Sequence, residues 1–223
     1  MSRAAKAALL VLLAWWTWRL LTHPFQQDVV GGIFMHRVDL MFHEAGHLLW
    51  SPFGEFMTVF GGTLNQCLVP IVCAVAFYRG RRDLFAVSLM GWWLGENLQD
   101  VGMYINDARD LQLQLLGGGT GAEIEGHDWE HLLTMMNAIT LDHRLGHIVQ
   151  TAGAVLMIAG LGAAIFLLVS PRDRGQAGGT RTADTRTPAT SHLLPPRAGT
   201  STTARPGGPG HRTAAPTGPP SRR

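Results

Sequence analysis

The chain is poor in the residues that would staple or solubilise a small domain. Of its 223 residues only two are cysteine, Cys67 and Cys73, set in an apolar run where they do not share a helical face. That excludes a disulfide framework and a thiolate metal site, and leaves two small core side chains. Lysine is nearly absent, with Lys6 against seventeen arginines. The formal net charge is only +2, and its basic surplus is confined to the end of the chain. Nine Arg and two Asp follow Ser170, whereas the preceding part holds nine basic and fourteen acidic residues. A fold with no basic excess of its own is not a nucleic-acid-binding domain; the basic tail suits anionic membrane lipid instead. Arginine in place of lysine is the habit of a GC-rich bacterial genome, which points to the inner membrane of a bacterial cell.

What the chain has is long apolar runs. Residues 4 to 22 are apolar after Arg3 and Lys6, with Trp15, Trp16 and Trp18 near the far end, where aromatic rings favour the membrane interface. No small-x-small cleavage site follows, so this run reads as an uncleaved anchor. A loop from Pro24 to Asp28 and the Gly31-Gly32 break lead to a helix from about Ile33 to Trp50, about 27 Å long and just enough to cross the hydrocarbon. Residues 55 to 63 alternate loosely and close on Gly61-Gly62, predicting a short hairpin or re-entrant loop able to pair with an extended substrate. Leu64 to Tyr78, interrupted by Pro70, Leu84 to about Ile105, and Leu145 to Ser170 read as further membrane helices. Gly153, Gly160 and Gly162 permit close helix contact in the last of them. The expected fold is an all-α polytopic membrane protein with four or five membrane helices. Residues 171 to 223 hold nine of the twelve prolines, cannot bury a core, and are expected to be a disordered tail.

The positive-inside rule places Lys6, the Arg79 to Arg82 loop and the tail in the cytoplasm. That requires the helix at 33 to 50 to enter and return on the outer side. If it crosses instead, there are five spans and the arginine loop lies outside.

The same helix carries the chemistry. His43-Glu44-Ala45-Gly46-His47 is an H-E-x-x-H motif, whose two imidazoles lie one turn apart and can hold one metal ion while Glu44 flanks a bound water. Zinc lowers the pKa of such a water to about 7, and a neighbouring carboxylate can carry its proton to a leaving amine. At about 100° per residue, His36 and Asp39 share the motif's side of the helix, and Asp39 is placed to accept the second ring N–H of His43. On the helix from Leu84, the residues Glu96, Asn97, Asp100, Tyr104 and Asp107 form one polar stripe facing a cavity or another polar helix. A buried hydrogen-bonded network that only fixes packing is the other reading of that stripe. The acidic region from Asn106 to Arg144 repeats the one-turn spacing in His127 and His131 and, at its end, in His143 and His147. These pairs are either metal ligands or exposed histidines on short helices.

With both polar helices in view, the chain over about residues 33 to 107 resembles the site-2 protease type of intramembrane zinc metallopeptidase. In that family one helix supplies two His and a Glu, and a later helix supplies a third ligand, an Asp. The resemblance implies Zn2+ held by His43, His47 and Asp100, with Glu44 as general base and then acid, and Asn97 contacting the substrate or the forming oxyanion. Val101 stands between Asp100 and Gly102, where the family has Asp directly before Gly, so His127 and Asp107 remain further candidates for the third ligand. The implied function is hydrolysis of peptide bonds in membrane proteins or peptides within the bilayer. Two alternatives stand beside it. One is a catalytically silent relative that binds membrane clients or metal. The other is a membrane di-iron oxygenase, which the three one-turn His pairs suggest and the lack of any His-His pair opposes.

Overall fold

The computed structural model describes residues 1–116 and 118–170, so the tail expected at 171–223 lies outside the described residues. Seven helices follow in order: α1 (Arg3–Thr22), α2 (Gln27–Gly31), α3 (Phe34–Trp50), α4 (Glu55–Arg81), α5 (Leu84–Asn106), α6 (Asp128–Met135) and α7 (Asp142–Val169). Among the described residues there is no strand, only an isolated bridge between Gln114 and Thr120. Three segments among the described residues are long and apolar enough to cross a membrane, namely Arg3–Thr22, Glu55–Arg81 and Ile139–Val169. The helix of the H-E-x-x-H motif begins and ends within a residue of its expected bounds.

The segment at 55–63 departs from expectation. It is the first part of the 27-residue α4 and forms no hairpin. Thr58 Oγ1 donates to Gly54 O at 3.0 Å, and the two glycines that suggested a chain break are the points where α4 lies against α3. A Cβ on Gly61 would come within 2.8 Å of Gly46 O, so neither helix tolerates a larger residue at the crossing. Packing thus supplies what two central glycines cost the helix in propensity. The helix continues through Pro70, at the loss of one backbone hydrogen bond. It ends at Arg82, whose φ of 49° turns the chain into α5, where the Asp83 carboxylate caps Ala86 N at 3.0 Å.

Helices α5 and α7 pack antiparallel along a seam of small residues. Ser88, Gly95 and Gly102 on α5 meet Gly160, Gly153 and Gly146 on α7, each set spaced by seven, with virtual Cβ positions 2.6 to 2.9 Å from the facing backbone. Of the glycines expected to make close contact, Gly153 and Gly160 do so, whereas Gly162 faces open space.

The contacts sort the rest to two ends of this bundle. At one end Arg3 Nη2 donates to Leu168 O at 2.7 Å and Lys6 lies 4.5 Å over the Phe85 ring, beside the α4–α5 turn. At the other, Phe25 stacks edge-on against His147 with ring centres 4.7 Å apart, Gln27 bonds Gln114, and His131 bonds Glu55. Both ends of α3 therefore belong to this second end, the one that carries α6.

Candidate metal centre

Helices α3 and α4 present the imidazoles, and α6 brings a carboxylate to them. His43 Nδ1 lies 2.6 Å from Gln66 Oε1 of α4, and His47 Nδ1 lies 2.8 Å from the main-chain oxygen of Thr58. Both partners are acceptors, so each Nδ1 keeps its hydrogen and Nε2 is the nitrogen that each ring turns outward. Those two nitrogens face the same atom, Asp128 Oδ2, at 2.8 Å from His43 Nε2 and 3.3 Å from His47 Nε2. Ligands bound at about 2.0–2.1 Å to a tetrahedral ion stand roughly 3.3 Å apart, so the spacing is of the right size. Protonated rings donate to this carboxylate, and in their neutral form the same three atoms are free to bind a cation. The donor set of two imidazoles and one carboxylate fits a zinc ion. Glu44, on the exposed edge of α3, offers an oxygen within 4.8 Å of ligand atoms of both histidines. The space around Nε2 of His43 exists because residue 62 is glycine: a Cβ there would sit 2.5 Å from that nitrogen.

Asp128 is held from two sides. Its backbone N–H donates to the Tyr104 hydroxyl at 3.0 Å, and it opens α6, for which His127 Nδ1 caps Glu130 N at 3.1 Å. Burial raises the affinity of the Asp128 carboxyl for a proton, but the hydrogen bonds from His43 and His47 outweigh it and hold the group below the ordinary carboxylate range.

The structure distributes the other sequence candidates differently. Asp100 Oδ2 pairs with His36 Nδ1 at 3.1 Å, two helical turns before His43. His127 is committed to its cap, and its Nε2 stands 3.4 Å from Asp107 Oδ2. Asp107 itself accepts from Gln112 N at 2.9 Å and Leu113 N at 3.0 Å, which ties down the loop beyond α5. Asn97 is fully buried, donates to Trp93 O at 3.2 Å, and does not line the cavity described below. Asp39 accepts from Trp93 Nε1 at 2.7 Å rather than from His43, because α5 covers its side of α3 while α4 covers that of His43. His131 pairs with Glu55 and His143 Nδ1 with Asn106 O, so neither later histidine pair gathers a third ligand.

Three participants escaped the sequence reading. Gln66 was visible as an amide inside an apolar run, a signal that marks function in a membrane segment. Asp128 lies within the acidic His127–His131 stretch, where residue order alone does not set it apart from Glu130 or from the histidines. Thr58 contributes a main-chain atom, which no residue type announces.

A cavity of about 710 Å3 opens onto these groups. His36, His43, Glu44, His47, Asp100 and Tyr104 are among the residues along one wall, and Leu113, Leu115, Leu116 and Ile124 of the 111–126 loop face them. No family model, curated protein or solved structure matches the chain.

Proposed function

We propose that this chain is a membrane-embedded zinc metalloprotease that hydrolyses peptide bonds of membrane-associated proteins or peptides. The observation that carries the reading is the convergence of His43 Nε2, His47 Nε2 and Asp128 Oδ2, with both Nδ1 atoms already committed to acceptors. His43, His47 and Asp128 would hold the ion, with Asp128 in the place that the family resemblance gives to Asp100. Zinc bound there supplies a Lewis acid and a water made acidic enough to ionise near neutral pH. Glu44, at the cavity wall, takes a proton from the attacking water and returns it to the leaving amine. Gln66 and Thr58 keep the rings in one tautomer through both transfers. Leu113, Leu115 and Ile124 line the same cavity and give these groups a partly apolar surround.

The proposal includes a topology. Helices α1, α4, α5 and α7 cross the membrane, and α3 enters and returns on one side, since both its ends lie with α6. Arg3, Lys6 and the Arg79–Arg82 turn then share the cytoplasmic side, as the positive-inside rule asks. The metal site opens toward the outer face.

The test is purified protein assayed for metal content and for cleavage of a helical membrane reporter, in wild type and Glu44→Gln. One zinc per chain in both, with cleavage by wild type only, is the expected result. Equal cleavage by the two proteins removes Glu44 from the mechanism. Zinc in both with cleavage by neither assigns the site to metal binding without catalysis.

A further inference from the structure

One helical turn behind the His36–Asp100 pair, α3 and α5 bring a second pair of titratable side chains together, and the hydrolytic reading leaves it unused. Asp39 and Glu96 are 0% and 1% exposed and meet where α3 packs on α5, the indole that bonds Asp39 being that of Trp93, one turn before Glu96. Trp93 Nε1 satisfies Asp39 Oδ1 at 2.7 Å. Asp39 Oδ2, both oxygens of Glu96 and the Oδ1 of Asn97 have no hydrogen-bond partner, and Asn97 itself is 0% exposed. The other titratable groups facing the pair are Asp100 of α5, His36 of α3 and Cys67 of α4. Among the described residues no lysine or arginine forms an ion pair with either acid.

Carboxylates only accept hydrogen bonds, and two of them cannot touch inside an apolar bundle while both are ionised. Two such acids, with unpaired oxygens and no cationic side chain beside them, stay buried only if one of them carries a hydrogen. The cavity found beside His36 does not extend to the pair, which leaves a proton as the cation that fits.

We propose that Asp39 and Glu96 form a proton-binding site in which one proton, taken from water, is shared between Asp39 Oδ2 and the Glu96 carboxyl. This proton keeps α3 seated on α5. Its loss would leave two negative charges in contact at the helix that carries His43, Glu44 and His47, so occupancy of this site controls how the metal-site helix sits. The site stands on packing alone and does not depend on zinc or on hydrolysis.

Infrared difference spectroscopy of the full chain in lipid tests it. At about pH 7, where free carboxyl groups are ionised, the wild type should show a protonated-carboxyl carbonyl band that shifts in D2O. Carboxyl labelling with 13C should move that band for glutamate, for aspartate or for both, and the double substitution Glu96→Gln with Asp39→Asn should abolish it. A wild-type spectrum without such a band overturns the proposal, even if the variant does not fold. So does a band that survives both substitutions. Metal content and peptide cleavage play no part in the readout, so the two proposals fail independently.

Discussion

Gln66 Oε1 takes the Nδ1 hydrogen of His43, leaving Nε2 as the atom open to the proposed ion, and its loss should be felt in metal affinity rather than in the fold. Gln66→Leu is expected to weaken zinc binding about 10–100-fold, the usual effect of losing a partner of a metal-bound histidine. Competition with a chelator measures this, and unchanged affinity would show that the amide does not orient the ring. Asp128→Asn and Asp100→Asn separate the two candidates for the third ligand. The first should lose zinc, whereas the second should retain it and disturb only the His36 contact. The opposite outcome would restore Asp100 to the ligand set. His43, Glu44 and His47 were legible in the sequence because one turn of helix fixes their relation. Asp128 was not, because it reaches His43 across 85 positions and only folding sets that distance.

Helix against helix, the glycines decide what can approach. A methyl group at residue 62 would occupy the space of the His43 ring, while Gly31 and Gly162 face open space. Gly62→Ala should cost about 1–3 kcal/mol as an overpacked contact, and it should lower zinc occupancy, which Gly31→Ala should not. Gly153→Val should likewise part α5 from α7 and lower the thermal transition, whereas Gly162→Val should leave it in place. Similar losses at both members of either pair would mean that the close contacts do not set the packing. The glycine spacing in α7 told the sequence reader that close contact was available. The Gly61-Gly62 pair misled, because the same dipeptide breaks an isolated helix and admits a neighbour to a packed one.

Across the whole molecule, two measurements bear on sidedness and on acid response. In a cysteine-free background, an impermeant thiol reagent applied outside should label Gly126→Cys and spare Arg81→Cys. Labelling of both from outside would end the four-crossing topology. The loop beyond α5 is anchored at Asp107: burial raises that carboxyl's affinity for a proton, but the His127 imidazole and the N–H groups of Leu113 and Gln112 outweigh it and hold it below the ordinary range. A group with a depressed folded-state value stabilises above its unfolded value, and that contribution disappears as pH falls through the folded one. Hydrogen exchange at Gln112 and Leu113, corrected for intrinsic rates, should therefore accelerate as pH drops below the ordinary carboxylate range. Asp107→Asn should show that looser state at all pH values. A pH response that persists in Asp107→Asn would place the titrating group elsewhere.

The amino-acid sequence by itself determined the helical class, the apolar segments and the pair of imidazoles one turn apart, since each follows from composition or from the helical repeat within one stretch of chain. It also supplied every polar group found inside the bundle. Which of those groups meet was decided only in three dimensions. Asp100 went to His36, Asp39 to Trp93, and Asp128 to the two histidines, because the crossing of α3 over α4 and the seating of α6 depend on contacts between residues far apart in the chain.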